Sequence, residues 1–138
     1  MTRFASAAAL VLLFLTACSS VAPAGASFIG NWSTQWQTLD GAGIIAADLV
    51  VTLDTTGDRT LVDGEYTTID ATTKLPVKGW MHGELSATGN VWSGTWWNAA
   101  PHEHGTFTFT LTGETTFTGT YTQAQHGRKT FAWNGTRN

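Results

Sequence analysis

The segment Phe117-Thr118-Gly119-Thr120-Tyr121 places a glycine midway between two large aromatic residues. Alternate residues of a β-strand point to the same face of a sheet, so in a strand this glycine shares its face with both aromatic side chains. The pattern, in which a central glycine has an apolar residue two positions before and two positions after it, recurs along the chain. Further copies lie at 28–32, 62–66, 81–85 and 92–96, and a last copy at 133–137 ends in Arg137 instead of an apolar residue.

A glycine on an apolar face indicates a strongly curved sheet. The missing side chain lets the strand bend and leaves room for neighbouring aromatic rings, which a flat sheet does not require. The alternative interpretation is that these glycines mark bulges in a β-sandwich. The repeat therefore favours a closed sheet but leaves the two-layer arrangement open.

Apolar and polar residues alternate in eight segments separated by Gly, Asn and Asp breaks, which is typical of β-strands. In the clearest segment, Phe107, Phe109 and Leu111 alternate with threonines. The predicted strands are 30–37, 47–53, 60–68, 77–86, 91–98, 105–112, 116–123 and 130–137. Eight short strands in succession predict an all-β fold, an eight-stranded antiparallel up-and-down β-barrel, because closure removes the exposed sheet edges.

The same alternation predicts which side chains point inward. The alternation places Trp80, His82 and Trp97 on the opposite, outer face. Either they form a contact surface there, or the predicted register is wrong and one of them points inward. The predicted inward set is Trp32, Trp36, Leu49, Val51, Leu53, Val62, Tyr66, Met81, Leu85, Trp92, Trp96, Phe107, Phe109, Leu111, Phe117, Tyr121, Phe131 and Trp133.

The first residues predict export. Arg3 precedes an apolar run at 5–15 that is too short to span a bilayer, and the run ends in Leu15-Thr16-Ala17-Cys18. This ending resembles the lipobox of bacterial lipoproteins. The resemblance implies a signal peptide at 1–17, attachment of a diacylglycerol to Cys18, and a location in the bacterial cell envelope. In a Gram-negative source, Ser19 indicates the outer membrane.

Composition limits the mature chain further. Residues 18–27 are mostly small and predict a flexible tether after the lipidated Cys18, and residues 28–138 form the barrel domain. The cations are scattered, so no nucleic-acid partner is expected. No nucleophile motif, inward acidic pair or phosphate loop is present, and we therefore expect neither enzymatic activity nor a cofactor.

Gly30-Asn31-Trp32 lies on the first predicted strand, and Arg137 lies on the last. In these residues and in the barrel pattern, the chain resembles the calycin group, which comprises lipocalins, fatty-acid-binding proteins, avidins and certain bacterial metalloprotease inhibitors. The resemblance implies that Gly30, Trp32 and Arg137 close one end of the barrel. Avidins carry an Asn where this chain has Thr34, which argues against biotin binding. The inhibitors have a disulfide and a free N-terminal arm, whereas this chain has one Cys and a lipid-tied arm, which argues against protease inhibition.

The connections predict which end of the barrel is open. Those at 38–46, 69–76, 99–104 and 124–129 are longer than those at the other end, and long loops tend to carry function. Trp36, Trp96 and Tyr121 are the candidate residues of a ligand mouth there. His102, His104 and His126 lie at the same end and are weak candidates for a metal, although solvated loop histidines are the simpler interpretation, so no metal site is predicted.

Two functions remain. In the first, the barrel is filled and acts as a structural or protein-interaction module of the cell envelope. In the second, the barrel holds a small apolar or aromatic ligand. The many inward Trp and Phe residues favour a mostly filled core with a shallow pocket at the mouth. A void of a few hundred Å³ lined by Trp36, Trp96 and Tyr121 would favour the ligand-binding alternative.

Replacing Cys18 with Ser tests the lipidation. The thiol accepts the lipid, so we expect Cys18→Ser to lose incorporation of labelled palmitate in a bacterial host, whereas Ser19→Ala keeps it. Palmitate label retained on the Cys18→Ser protein would contradict the assignment.

Overall fold

The computed structural model describes residues 28–54, 60–99 and 101–138. The predicted signal peptide, Cys18 and the tether lie outside these ranges. Within them, no helix has the length and hydropathy of a membrane span.

The described chain forms one closed antiparallel sheet. Each strand pairs with the next along the chain, and the eighth pairs with the first, so the predicted eight-stranded up-and-down barrel is confirmed. The strands are β1 (Gly30–Gln37), β2 (Ile44–Leu53), β3 (Leu61–Ile69), β4 (Pro76–Leu85), β5 (Val91–Asn98), β6 (His104–Leu111), β7 (Thr116–Thr122) and β8 (Thr130–Arg137). A 3₁₀ turn at Ala124–His126 precedes β8.

One strand departs from its predicted bounds by more than a residue. β2 begins at Ile44, three residues before the predicted start, because Ile44 and Ile45 pair with Gln37 and Trp36 at the end of β1. Small and apolar residues from Gly41 to Ala47 blur the boundary between loop and strand in the sequence. Backbone pairing with β1 therefore extends a strand that the alternation did not mark.

The predicted inward residues form the core, with a few differences. Leu53, predicted to point inward, is 49% exposed because it is the last residue of β2, where the barrel meets solvent. Trp36 and Leu111 are partly buried against the core. Phe28, which precedes the first strand and was not predicted, is fully buried, and Thr34 and Gln123 are buried polar residues that the alternation of apolar residues could not mark.

Glycines on the inner face let the strands approach each other. Gly83 of β4 lies opposite Gly94 of β5, and a Cβ on Gly83 would lie 2.2 Å from the carbonyl oxygen of Ser93. A Cβ on Gly135 would lie 2.2 Å from the Phe117 ring. The glycine spaces thus hold either a neighbouring backbone or an aromatic ring, as the curved-sheet interpretation of the repeat requires.

One end of the barrel is closed by packed rings. Phe28 covers this end, and its carbonyl accepts a hydrogen bond of 2.8 Å from the Trp32 indole. The Arg137 guanidinium lies 4.3 Å from the Trp32 ring centroid and donates to the carbonyl of Ile29 at 2.7 Å. Gly30 has a φ of +131°, and a Cβ there would lie 2.8 Å from Arg137 Nη1. Gly30 therefore gives the guanidinium its place over the indole.

The glycine contact predicts a large effect of one added methyl group. In Gly83→Ala the Cβ meets backbone, which cannot rotate away, so we expect the free energy of unfolding to fall by about 2–3 kcal/mol. The matched control is Gly113→Ala, whose Cβ would have its nearest contact at 3.6 Å. Urea denaturation of both variants measures the difference, and an equal loss of stability would contradict the close-approach account.

A candidate ligand cavity at the open end

The end of the barrel opposite Phe28 contains a cavity of about 570 Å³. It is surrounded by the β1–β2, β3–β4 and β5–β6 connections, at 38–43, 70–75 and 99–103. The structure places Trp36, Trp96 and Tyr121, the three candidate mouth residues, on its walls. Its other lining residues are Thr38, Leu39, Asp40, Ile45, Tyr66, Thr68, Ile69, Asp70, Ala71, Thr72, Val77, Asn98, Pro101, Glu103, Gln123 and Trp133.

Loop length does not distinguish the two ends as clearly as the sequence indicates. The connections at the open end span 38–43, 70–75, 99–103 and 123–129, and those at the closed end span 54–60, 86–90 and 112–115. What differs between the ends is the filling. Phe28 covers the closed end against Trp32, Trp92 and Phe117, whereas the open end has no equivalent plug among the described residues.

Five aromatic residues from five strands form the walls of the cavity. The Trp36 ring lies 5.6 Å from Tyr66 and 4.8 Å from Trp133 between ring centroids. On the other side, Trp96 and Tyr121 are 5.8 Å apart at an interplanar angle of 81°. Trp133 contacts Tyr66 and Tyr121 edge to face and so joins the two sides. These contacts favour one arrangement of the rings.

Hydrogen bonds fix the polar edges of three rings. The Tyr121 hydroxyl donates to the Gln37 carbonyl at 2.6 Å, and the Trp96 indole donates to the Thr122 carbonyl at 2.9 Å. The Tyr66 hydroxyl donates to Oδ1 of Asn98. Because these donors are already bonded to protein, the rings have little freedom to turn, and the walls are ordered in the protein alone.

Two glycines outside the copies named from the sequence, Gly79 and Gly105, also help to build these walls. A Cβ on Gly79 would lie 2.1 Å from the Tyr66 ring. A Cβ on Gly105 would lie 1.7 Å from the Thr122 carbonyl oxygen and 2.8 Å from Nε1 of Trp96. Both glycines therefore leave space for rings of the cavity. Gly79 in fact fits the pattern, since Val77 and Met81 lie two positions before and after it, whereas Gly105 has Glu103 two positions before it and does not.

Two buried indole groups lack hydrogen-bond partners within the described ranges. They are the Nε1 groups of Trp92, in the closed half, and Trp133, beside the cavity. A buried donor without an acceptor costs stability.

The histidines at the open end are not gathered into a metal site. His102, His104 and His126 are exposed, and His126 packs its ring against Phe131 instead. In the described part of the chain, one group has metal-ligand atoms that all lie within 4.8 Å of one another, and it consists of Asp54, Asp63 and His82. His82 and Asp63 are cross-strand neighbours that form a half-exposed pair at 2.6 Å.

The outer surface carries two further features. Trp80 and Trp97 lie opposite each other on β4 and β5 with their rings stacked at 6.3 Å, so both point outward as the alternation predicts. A depression of about 900 Å³ crosses the outer face of β1, β2, β7 and β8. It is larger than the cavity, but it is open to solvent, and Phe117 is the one aromatic residue among the described residues that line it.

No protein-family model matches the chain, and no curated protein matches its sequence. Solved structures show the fold. A redesigned β-barrel aligns with a TM-score of 0.71 at 12% identity, covering 83% of this chain and 95% of its own. The redesigned barrel mFAP1, bound to DFHBI, aligns with a TM-score of 0.67 at 13% identity, covering 83% and 98%. A de novo designed fluorescence-activating β-barrel aligns with a TM-score of 0.64 at 10% identity, covering 83% and 96%.

The cavity predicts abnormal tyrosine titration, since the two tyrosines of the chain both line it. Burial, followed by the charge of Glu103, raises the pKa of Tyr121 to about 12. Burial, followed by the charges of Glu103 and Tyr121, raises the pKa of Tyr66 further. We therefore expect the ultraviolet absorbance of tyrosinate to be absent from the folded protein near pH 10 and to appear there on unfolding.

The same shifts fix the pH dependence of stability. The folded protein holds the phenol protons more tightly than the unfolded chain, so the stabilisation is complete below pH 10 and is lost as pH rises toward 12. Tyr121→Phe, which cannot ionise, should make this loss less steep. A folded protein that forms tyrosinate near pH 10 would contradict the burial of these residues.

Proposed function

We propose that the barrel binds a small, largely apolar aromatic molecule in the cavity at its open end. The observation that carries the proposal is the cavity itself, about 570 Å³ with five aromatic residues in its lining. Binding sites for small molecules are concave, mostly apolar and largely preformed, with a few polar groups that orient the ligand. Asn98 and Glu103 are polar groups of that kind at this site.

The cavity favours one of the two functions that the sequence left open. A filled barrel would act through its outer surface, and the stacked Trp80 and Trp97 are the feature that would serve a protein-interaction module of the envelope. Such a module has no use for an ordered aromatic cavity, whereas a binding protein requires one. The ligand-binding function is therefore the better supported of the two.

Similar barrels support the proposal at the level of the fold. The redesigned barrel mFAP1 is described bound to DFHBI. At 13% identity the likeness concerns the fold alone, so it supports the capacity of such a barrel to hold a compound and not the identity of a ligand.

The position of Phe28 bears on the proposed membrane anchor. Phe28 lies at the closed end, at the start of the described chain, and the cavity opens at the opposite end. If Cys18 carries the lipid, as the lipobox resemblance implies, the tether reaches the barrel at its closed end. We propose that the mouth then faces away from the membrane and is accessible to a ligand in solution.

The neutral probe N-phenyl-1-naphthylamine, whose fluorescence rises in apolar surroundings, tests the binding function. We expect one molecule to bind per chain with a micromolar dissociation constant. Trp36→Ala removes part of the cavity wall and should weaken binding by at least roughly ten-fold. Fluorescence titration measures the affinity, and circular dichroism verifies that the variant is folded.

The matched control is Trp97→Ala, which removes the same side chain from the outer surface, where Trp97 is 41% exposed. It should leave the dissociation constant unchanged. The absence of saturable binding to the wild-type protein, or an equal loss of affinity in both variants, would refute the proposed function.

A further inference from the structure

The charged residues that line the cavity all carry the same sign. They are Asp40, Asp70 and Glu103, one from each of three connections around the mouth, and no Lys, Arg or His is among the described residues that line it. The open end of the barrel does carry cations, including Lys74, and Lys129, which lies 5.2 Å from the Phe131 ring centroid. These cations lie outside the lining, although the charge of Lys74 is among the causes that lower the pKa of Asp70. The charged side chains that line the cavity are therefore all negative, and Glu103 is the one beside the aromatic residues.

Two of the carboxylates are held in place by their own loops. Asp40 accepts hydrogen bonds from the Thr38 hydroxyl and from the backbone N–H of Ala42. Asp70 accepts from the backbone N–H groups of Thr72 and Thr73. The hydrogen bond from Thr38 is the largest cause that lowers the pKa of Asp40, and the backbone hydrogen bond from Thr73 is the largest cause that lowers the pKa of Asp70. Both carboxylates therefore stay ionised at neutral pH.

The third carboxylate lies closest to the aromatic walls. Oε2 of Glu103 accepts a hydrogen bond of 3.2 Å from the Asn98 amide, whose Oδ1 in turn accepts from Tyr66. The charge of Glu103 is among the causes that raise the pKa of both Tyr66 and Tyr121, which places its field across the cavity. Neither tyrosine can neutralise this charge, because neither carries a positive one.

The aromatic walls also favour a positively charged ligand over a negatively charged one. The face of an indole or phenol ring is negative, and a cation within about 6 Å of the ring centroid is attracted to it, most strongly where water is excluded. Quaternary ammonium groups are recognised by aromatic cages for this reason. An anion in this cavity would meet negative ring faces and three carboxylates and would find no cationic side chain among the described lining residues.

We propose that the cavity selects organic cations, specifically aromatic or other apolar molecules that carry a quaternary or protonated amine, with the cationic group between the aromatic walls and Glu103. This assignment of a ligand class rests on the proposed binding function. It goes beyond that function because an apolar cavity alone would not discriminate by charge.

Three ligands of nearly equal shape and different charge test the proposal. Phenyltrimethylammonium is a cation, tert-butylbenzene is its neutral isostere, and benzenesulfonate is an anion of similar size. Titrations of the full barrel domain, followed by tryptophan fluorescence and calorimetry, should show the cation binding roughly ten-fold more tightly than the isostere, with benzenesulfonate the weakest of the three.

A pair of charge-neutralising variants locates the effect. Glu103→Gln keeps the size of the side chain and should weaken the binding of phenyltrimethylammonium by roughly five- to ten-fold more than it weakens the binding of tert-butylbenzene. The matched control is Glu84→Gln, which removes an equal charge from the exposed outer face of β4 and should change neither affinity.

The outcomes separate this proposal from the function on which it rests. If no ligand of the three binds and N-phenyl-1-naphthylamine also fails to bind, the binding function itself is wrong. If tert-butylbenzene binds as tightly as phenyltrimethylammonium, or benzenesulfonate binds more tightly than both, the binding function stands and cation selection is overturned. Equal effects of Glu103→Gln and Glu84→Gln would also overturn it, because the preference would then arise from net charge alone.

Discussion

Closure of this barrel depends on the absence of side chains at a few inward positions. Eight short strands enclose little space, and the aromatic rings that fill it fit only where an inward position has no side chain. Gly83 and Gly94 provide that room by letting β4 and β5 approach each other, and Gly135 provides it by accepting the Phe117 ring. Small residues on the inner face thus set the curvature, and large residues on the same face set the filling.

The packing of these large residues differs between the two ends of the barrel. At the closed end, Phe28 enters from outside the strands and completes a cluster with Trp32, beneath the Arg137 guanidinium. At the open end the rings of Trp36, Trp96 and Tyr121 line a cavity of about 570 Å³ that the connections at the mouth surround. Edge-to-face contacts and hydrogen bonds at the ring edges hold these rings in one arrangement.

The fold could be predicted from the sequence because two local patterns, the alternation of apolar residues and the glycine repeat, indicate a closed barrel. The alternation predicted seven strands to within one residue at each end, and the glycine repeat favoured a closed sheet over two layers. The errors arose where local pattern and tertiary position differ. Leu53 alternates correctly but lies at the end of its strand. Phe28 begins the 28–32 copy of the glycine repeat, but it was left out of the inward set because it precedes the first predicted strand.

The cavity could be predicted only in part. The identity of its wall residues followed from strand register, since an inward residue near the open end must line whatever space is there. The size of that space could not follow, because it depends on how far the rings extend and on which bonds hold them. The ring of carboxylates was likewise hidden, since Asp40, Asp70 and Glu103 come from three separate connections and become neighbours of one space only when the barrel closes.

The seven tryptophans of the chain would report directly on binding in the cavity at the open end, because they lie in three different surroundings. Trp36, Trp96 and Trp133 line the cavity, Trp32 and Trp92 lie in the packed half, and Trp80 and Trp97 lie outside. Indole N–H resonances, assigned and followed by nuclear magnetic resonance during titration with N-phenyl-1-naphthylamine, separate the three groups. We expect chemical-shift changes confined to the indoles of Trp36, Trp96 and Trp133. Changes concentrated in the other four indoles would contradict binding in the cavity.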